Sequence, residues 1–218
     1  MKTLVFTAKG QYARFRCPHT TTSALTFLTI HPIAVKGMIG AIMGIEYERL
    51  FDYTKDMKVA IEVLNPVYTD TQSFNLIAQS NNNGAANFQS RIQFLRDVYY
   101  RIYIQDNKVD TITNILQSGE FGFTPYLGCS EHIAKIEFEE IIQGEEIQGN
   151  FVNTIIPKNY INIEECDDIK LYSDRIPVKN KEDREYTQYS YIAFSSNNPL
   201  PIMASELIRV GEKNVFFL

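Results

Sequence analysis

The fold depends on residues 14–45, which read RFRCPHTTTSALTFLTIHPIAVKGMIGAIMGI. Pro32 suits the first position of a helix, because an amide hydrogen there would have no partner inside the helix. His31 is therefore the predicted cap of this helix, and Ile30 and Val35 are placed to pack across it as a hydrophobic staple. The residues that follow are apolar on nearly all sides, which is typical of a buried helix.

Gly37, Gly40 and Gly44 are predicted to share one side of this helix. Three glycines cost a helix about 3 kcal/mol relative to alanine, so we expect another group to approach this side closely. Two interpretations stay open. The free N–H groups at the start of the helix, with Lys36 one turn along, could bind an anion such as a phosphate. Alternatively, the glycines let the helix lie close on a sheet, and Lys36 extends to the surface along its aliphatic stem.

The predicted elements follow the order β-α-β-β-α-β. Strands are predicted at 4–7, 57–64, 91–105 and 132–142, with the glycine-containing helix after the first strand and a second helix at 108–117. The third strand has an apolar face of even-numbered residues, which are Ile92, Phe94, Val98, Tyr100, Ile102 and Ile104. This order is ferredoxin-like and is shared by RNA-recognition-motif folds. The sequence therefore predicts an α+β fold of this type.

An insertion at 66–89 separates the second and third predicted strands. Its tip at 79–87 is polar and uncharged, and a connection this long is either functional or disordered. After Gly149 the chain changes to short predicted strands. We therefore divide the chain into a domain at 1–142, which carries the insertion, and a small β-rich extension at 143–218.

Charge is unevenly distributed along the 218 residues, whose net charge is −5. Up to residue 45 there are five cations and no anions, so the remainder must sum to −10; the five are Lys2, Lys9, Arg14, Arg16 and Lys36. This asymmetry predicts a local basic surface on an acidic body. Three cysteines without metal-ligand spacing, and no signal peptide or long apolar segment, favour a cytoplasmic protein with no membrane partner, metal or cofactor.

Three motifs resemble those of a known family. They are the run from Arg14 to Gly44 with its VKGMIGAIMG segment, TPYLGCSE at 124–131, and YYRIYI at 99–104. In this order they resemble the CRISPR-associated Cas-five family, which are RAMP proteins with RNA-recognition-motif-like folds. The resemblance covers about residues 1–142, and it extends to the rest of the chain only in length and strand content.

The resemblance implies a non-catalytic subunit of a type I CRISPR Cascade surveillance complex, which caps the five-prime handle of the guide RNA in antiviral defence. It also implies that the insertion at 66–89 is a thumb, a hairpin arm that reaches over the guide RNA and towards the neighbouring RAMP subunit of the filament. A surface loop without function is the alternative. The acidic carboxyl-terminal third indicates protein contacts, including the large Cascade subunit, in a complex that also holds target DNA.

The residues expected to contact RNA are cations, flat rings, hydroxyls and the helix glycine beside Lys36. Cations neutralise phosphates, rings stack on bases, and hydroxyls bond phosphate or the 2′-hydroxyl. The predicted set is Arg14, Phe15, Arg16, His19, Thr20, Thr21, Thr22, Ser23, Lys36, Gly37 and Arg101. Burial in the core is the alternative for Phe15, and pairing with acidic residues is the alternative for Arg101.

Two other functions stay open at this point. A metal-independent endoribonuclease needs a base, an acid and a cation near the scissile phosphate, and His19, Lys36 and Tyr12 are the best trio available. A ferredoxin-like sensor or adaptor without an RNA role is the second alternative. Because this trio matches no motif of the cleaving members of the family, we predict a protein without catalytic activity.

Overall fold

The computed structural model describes residues 1–20, 23–77, 87–166, 168–196 and 198–218. Within these ranges lie the helices α1 (Pro32–Met43), α2 (Tyr47–Thr54) and α3 (Val109–Ser118). The strands are β1 (Lys2–Ala13), β2 (Ser23–Ala24), β3 (Lys58–Val63), β4 (Tyr68–Ile77), β5 (Asn87–Gln105), β6 (Lys135–Gln143), β7 (Glu145–Val152), β8 (Ile156–Pro157), β9 (Tyr172–Asn180), β10 (Tyr186–Phe194), β11 (Leu200–Val210) and β12 (Lys213–Val215). None of the helices in these ranges is long and apolar enough to cross a lipid bilayer.

The central sheet has the antiparallel order β6–β1–β5–β3, with Leu4 of β1 opposite Ile104 of β5. Helices α1 and α3 cover one face of this sheet. Their apolar residues, including Ile39 and Ile112, pack in one core with even-numbered residues of β1 such as Phe6. This strand order with two helices on one face is the arrangement of the β-α-β-β-α-β pattern. The predicted α+β fold is confirmed.

The opposite face of the sheet is covered by the end of the chain. Val5 and Tyr103 of this face pack against Val210 and Val215 of the last hairpin, β11–β12. The amide of Leu218 donates to the carbonyl of Val59 at 2.9 Å, which anchors the last residue beside β3. Val5 and Tyr103 are therefore enclosed by protein, whereas Arg101 on the same face is partly exposed.

Residues 143–218 also contribute to the core on the helix side. Ile155, Ile176, Ile192 and Phe194 pack with the residues of α1 and the central sheet. Two three-stranded sheets, β8–β10–β9 and β12–β11–β7, complete this part of the chain. The extension and the first 142 residues therefore share buried surface.

Strand β5 begins earlier than predicted and bends at Asp97, where φ is +54°. Before the bend it pairs with β4, and after the bend it pairs with β3. The prediction that even-numbered residues share one apolar face along the whole strand is wrong before the bend. There Leu95 lies in the main core, whereas Phe94 is only half-buried. The left-handed backbone conformation of Asp97 reorients the strand, and the alternation of apolar residues in the sequence does not reveal it.

The predicted insertion at 66–89 is occupied by β4 and the start of β5, which pair as a hairpin. Tyr68 lies opposite Arg96, and Gln72 lies opposite Ile92. Most side chains of β4 are exposed, so this limb adds little to the core. Residues 79–86 of the predicted tip lie outside the described residues, and only its last position, 87, lies within them. Thr21 and Thr22 also lie outside the described residues.

Two local predictions are corrected by the structure. The first strand was predicted at 4–7, but β1 continues to Ala13, and the short strand β2 follows before α1. Helix α2 was not predicted, and it explains one of the helix glycines. A Cβ on Gly40 would overlap the side chain of Leu50, so α2 is the group that approaches α1 closely there. Gly44 is the αL residue that ends α1, and Gly37 has open space beside it.

Candidate nucleic-acid interface

Two of the sequence motifs meet at Arg14. Its amide donates to the carbonyl of Leu127 at 3.0 Å, and the Cys129 thiol donates to the Arg14 carbonyl at 3.8 Å. Gly128 lies between them with φ +86°, and a Cβ at this position would overlap the Arg14 carbonyl oxygen. Only glycine combines this backbone conformation with this close contact. The TPYLGCSE motif is therefore a clasp around the start of the first motif.

The same loop is fixed to the end of α1. The amide of Gly122 donates to the carbonyl of Ile42 at 3.1 Å, and the amide of Phe123 donates to that of Ala41 at 2.8 Å. These bonds satisfy carbonyls that the end of a helix otherwise leaves without partners. The loop at 123–128 is consequently held beside the helix at one position.

A groove of about 500 Å³ lies between α1, the loop at 123–128 and the turn at 180–186. We call it the arginine groove, because Arg14, Arg16 and Arg184 line it. Among the ion pairs formed by the described residues, none involves these three guanidinium groups. One carboxylate, that of Glu46, lies on the lining of the groove. Three cations against one anion make the arginine groove attractive to phosphate.

Exposed aromatic rings share this groove. Tyr47, Phe123 and Tyr126 are 46%, 45% and 47% exposed, and all three line it. The Arg184 guanidinium lies 3.8 Å from the centroid of the Tyr47 ring, a cation–π contact that holds both groups at the surface. Flat rings beside unpaired arginines are the combination that binds single-stranded nucleic acid, since rings stack on bases while cations neutralise the backbone.

Arg14 has a further property. Its Nε atom is buried and has no acceptor among the described residues. A buried donor without an acceptor is costly, about 1–3 kcal/mol. Because this atom is enclosed by protein, a ligand in the groove would meet the charge of Arg14 and not this N–H group.

The structure corrects the prediction for Phe15. Its side chain is 3% exposed, and its ring packs edge-on against His31 and Tyr100, at centroid distances of 6.2 and 6.4 Å. Phe15 is a core residue, so its ring is not available for a base. Phe15 lies just beyond β1, next to the isolated bridge between Arg16 and Thr26, and it points inward between two arginines that line the groove.

The structure places Lys36 away from the arginine groove. The Lys36 ammonium donates to the carbonyl of Lys55 at 3.3 Å, at the end of α2, and burial lowers its pKa below the usual value. It does not line the arginine groove, whereas its neighbour Gly37 does. An ammonium engaged at the end of a helix is in a favourable position already, because carbonyl groups point out there.

The start of α1 is capped by protein groups. His31 Nδ1 accepts from the Ala34 amide at 3.2 Å, as predicted for the cap. The rings of Phe27 and Tyr186 pack around it at 5.5 and 5.6 Å, and burial lowers the His31 pKa to about 3. His31 is therefore neutral at physiological pH, and this geometry does not support an anion site at the start of the helix.

The remaining predicted residues are spread over the surface. Thr20 accepts from the Leu25 amide at 3.2 Å and so closes its own loop, while Ser23 is exposed in β2. His19 is exposed and packs against Tyr189 at 6.1 Å. Arg101 pairs with Glu139 at 2.7 Å and Glu62 at 3.1 Å, which is the acidic pairing considered above. Its guanidinium is committed to protein carboxylates.

The endonuclease trio is not assembled. Tyr12 contacts the rings of Phe94 and His132. His19 contacts the ring of Tyr189, and Lys36 contacts the carbonyl of Lys55. Tyr12 and Lys36 line different cavities, and His19 lines neither of them. Within that part, no three acidic, histidine or cysteine side chains are grouped to hold a metal ion either.

Sequence reasoning missed several residues of the arginine groove. Arg184 lies far from the first motif in the chain, whereas Tyr47 follows its last residue by three positions; neither belongs to a recognised motif. Tyr126 lies inside the TPYLGCSE motif, so its position in that motif could have identified it as a candidate. Folding alone brings Arg184 to the groove. Its φ is +66°, and it lies in a tight turn that the Lys181–Glu185 ion pair closes.

Comparisons with protein-family models and with curated protein sequences find no match. Solved structures do match. A protein described as a CRISPR RNA-guided surveillance complex superposes with a TM-score of 0.55 at 11% identity, over 97% of this chain and 95% of that chain. A CRISPR protein from Archaeoglobus fulgidus gives 0.52 at 10% identity, over 99% and 98%.

A chain from the Type III-B Cmr-beta complex bound to cognate target RNA and AMPPnP gives a TM-score of 0.50 at 13% identity, over 92% of this chain and 86% of that chain. At such identities a likeness establishes the fold alone. The chain has, over nearly its full length, a fold that occurs in CRISPR-associated proteins.

Proposed function

We propose that this chain is a non-catalytic, RNA-binding subunit of a type I CRISPR Cascade surveillance complex, and that it caps the five-prime handle of the guide RNA. The observation that carries the proposal is the arginine groove. There two motifs of the Cas-five family, distant in sequence, are clasped together beside three unpaired arginines and three exposed rings. The fold, which occurs in CRISPR-associated proteins, supports the same assignment.

An unpaired RNA end fits this groove better than a duplex does. Rings such as Tyr47 and Tyr126 can stack only on bases that are already unstacked. The groove is bounded by a fixed loop and a helix, so a strand that enters it has a defined position. Such a subunit sets the point from which the filament subunits of the complex are counted along the guide.

Cleavage of RNA is not part of this proposal, because His19, Lys36 and Tyr12 contact three different sets of residues. The other partners follow from the resemblance and the exposed surfaces. The β4–β5 hairpin, with its exposed β4 limb, is the thumb that would contact the next filament subunit. Residues 143–218 would contact the large subunit, and target DNA would enter with the complex.

The groove is tested by the salt dependence of RNA binding. Three arginines on three phosphates predict a log–log slope of about −2 for a single-stranded RNA, at about −0.7 per phosphate. Arg16→Gln and Arg184→Gln should each reduce the slope by about 0.7, measured by fluorescence anisotropy. Arg209→Gln removes an exposed arginine of β11 and is the matched control. Lys36→Gln should also leave the slope unchanged.

An unchanged slope in both groove variants would contradict the arginine groove as the RNA site. The handle assignment is tested separately in the assembled complex. RNA crosslinked to this chain should carry the same five-prime sequence in every molecule. Crosslinks distributed along the guide would contradict capping, even if the groove binds RNA.

A further inference from the structure

A second cavity, of about 410 Å³, lies at the base of the β4–β5 hairpin. We call it the hairpin pocket. Its apolar wall consists mainly of rings: Tyr12 from the end of β1, Phe74 from β4, Phe94 from β5 and His132 from the turn before β6. Of these four, only Tyr12 was singled out from the sequence as a functional candidate, as a member of the endonuclease trio. The pocket is therefore a product of the fold, at the junction of hairpin and central sheet.

The four rings support one another and are fixed in place. Phe94 packs edge-on against His132 at 5.4 Å and against Tyr12 at 6.4 Å, and Phe74 lies 5.9 Å from Phe94. Phe74 is 38% exposed, so the wall is open to solvent on the hairpin side. A preformed apolar wall with an open side is suited to a flat ligand that enters from outside.

Polar groups on the lining disfavour a phosphate as that ligand. The lining contains one anion, Glu131, and one permanent cation, Arg14. Asp70 is hydrogen-bonded to Gln72 of the lining at 3.3 Å. Burial lowers the pKa of His132, which favours its neutral form. Amide, carboxylate and imidazole groups around an apolar wall instead suit the edge of a base.

The hairpin pocket and the arginine groove share one residue. Arg14 lines both of them. An RNA strand with a phosphate at Arg14 therefore has rings of the arginine groove on one side of that phosphate and rings of the hairpin pocket on the other. This continuity favours RNA over an aromatic side chain from another protein as the occupant.

We infer that the hairpin pocket holds one base, extruded from the RNA strand whose backbone lies in the arginine groove. The base stacks on the Phe74–Phe94 wall, and its edge meets Gln72, Glu131 and His132. The inference rests on the proposed function and adds a recognition site to it. Arg14 is the link, since it binds the phosphate beside the extruded nucleotide.

The test uses a single-stranded RNA of about ten nucleotides, a length that one such domain can cover. A fluorescent purine analogue replaces one base at a time. One position should be quenched on binding to the wild-type chain, and Phe74→Ala should restore its fluorescence. The same variant should raise the Kd about tenfold, because one stacking surface is lost, and leave the salt slope unchanged.

Phe151→Ala is the matched control, since Phe151 of β7 is 42% exposed and lies in neither cavity. Phe94→Leu is a second variant that keeps apolar volume in the wall, and it should raise the Kd in the same direction. Unaltered Kd and quenching in both pocket variants would overturn the inference. So would an equal loss in Phe151→Ala, or a loss of a protein partner with no change in RNA affinity.

The two proposals fail in different ways. If Arg16→Gln and Arg184→Gln reduce the salt slope while Phe74→Ala and Phe94→Leu change nothing, only the hairpin pocket is refuted. If the wild-type chain binds no RNA, the proposed function fails and the inference fails with it.

Discussion

The arginine groove and the covered face of the central sheet contain similar side chains with opposite roles. On the sheet face, Glu62 is 4% exposed and accepts from Arg101, from Lys213 at 2.9 Å and from the Tyr103 hydroxyl at 2.8 Å. In the groove, three arginines have no carboxylate partner among the described residues. A cation that is already paired inside the protein is less available to a phosphate, so the pairing, and not the residue type, determines which surface could attract one.

RNA-recognition-motif domains usually stack bases on the open face of their sheet. Here that face is covered by the β11–β12 hairpin, and its Tyr103 is buried, with a pKa raised by burial and by Glu62. The available rings and cations lie instead beside α1 and the 123–128 loop.

The largest expected effect comes from removing Glu62. Glu62→Ala leaves Arg101, Lys213 and Tyr103 without their shared acceptor, and should cost about 3 kcal/mol in the free energy of unfolding. Solvent access at Arg101 and Lys213 keeps the cost near the lower end of the usual range. Urea titration measures it, with Glu139→Ala as the more exposed control and a smaller loss expected. Equal losses in the two variants would argue against a sheet face organised by Glu62.

The glycines of the two groove motifs should respond in opposite directions. Gly128→Ala places a Cβ on the Arg14 carbonyl at positive φ, and should destabilise the fold by about 2 kcal/mol and weaken RNA binding. Gly37→Ala meets no atom within 4 Å and should stabilise α1 by up to about 1 kcal/mol. Thermal unfolding of both variants tests this. Tolerance of alanine at position 128 would refute the clasp.

A smaller effect is expected from pH. The His31 pKa is about 3 in the folded chain, below its ordinary value of 6.5. The unfolded chain therefore binds a proton first as the pH falls. Stability is fully present above pH 6.5 and declines towards pH 3, by about 2 kcal/mol between pH 7 and pH 5.

Denaturant titrations at several pH values measure this loss. His31→Asn retains a capping side chain without a titrating ring, and should reduce the decline over this range. A decline of the same size in His31→Asn would show that other groups cause it. Because His31 is neutral, the charge in the arginine groove comes from its arginines.

Much of the fold could be predicted from the sequence because its signals are local. Pro32 and His31 start α1, Gly119 ends α3, and alternating apolar residues mark the strands that pair in the central sheet. The hairpin and the bend at Asp97 were predicted less well. Their apolar pattern depends on a backbone conformation that the residue type does not reveal.

The site was predicted only where it coincided with a motif. Arg14, Arg16 and Gly37 line the arginine groove, whereas Phe15 lies in the core, and Lys36 and Arg101 are engaged by other protein groups. Of the five cations in the first 45 residues, Lys2 pairs with Asp110 and Lys9 pairs with Glu137. Those partners are more than 100 residues away in the chain, so charge counting could not find them.

Local signals in the sequence were enough to predict the β-α-β-β-α-β order of the central unit, since helix caps, alternation and glycines act over a few residues. Which cations stay unpaired and which rings stay exposed could be seen only in the folded chain. Both depend on contacts between distant segments, such as Arg184 beside Tyr47 and Gly128 against Arg14. A side chain's availability is set by what surrounds it in space, and that surrounding exists only after folding.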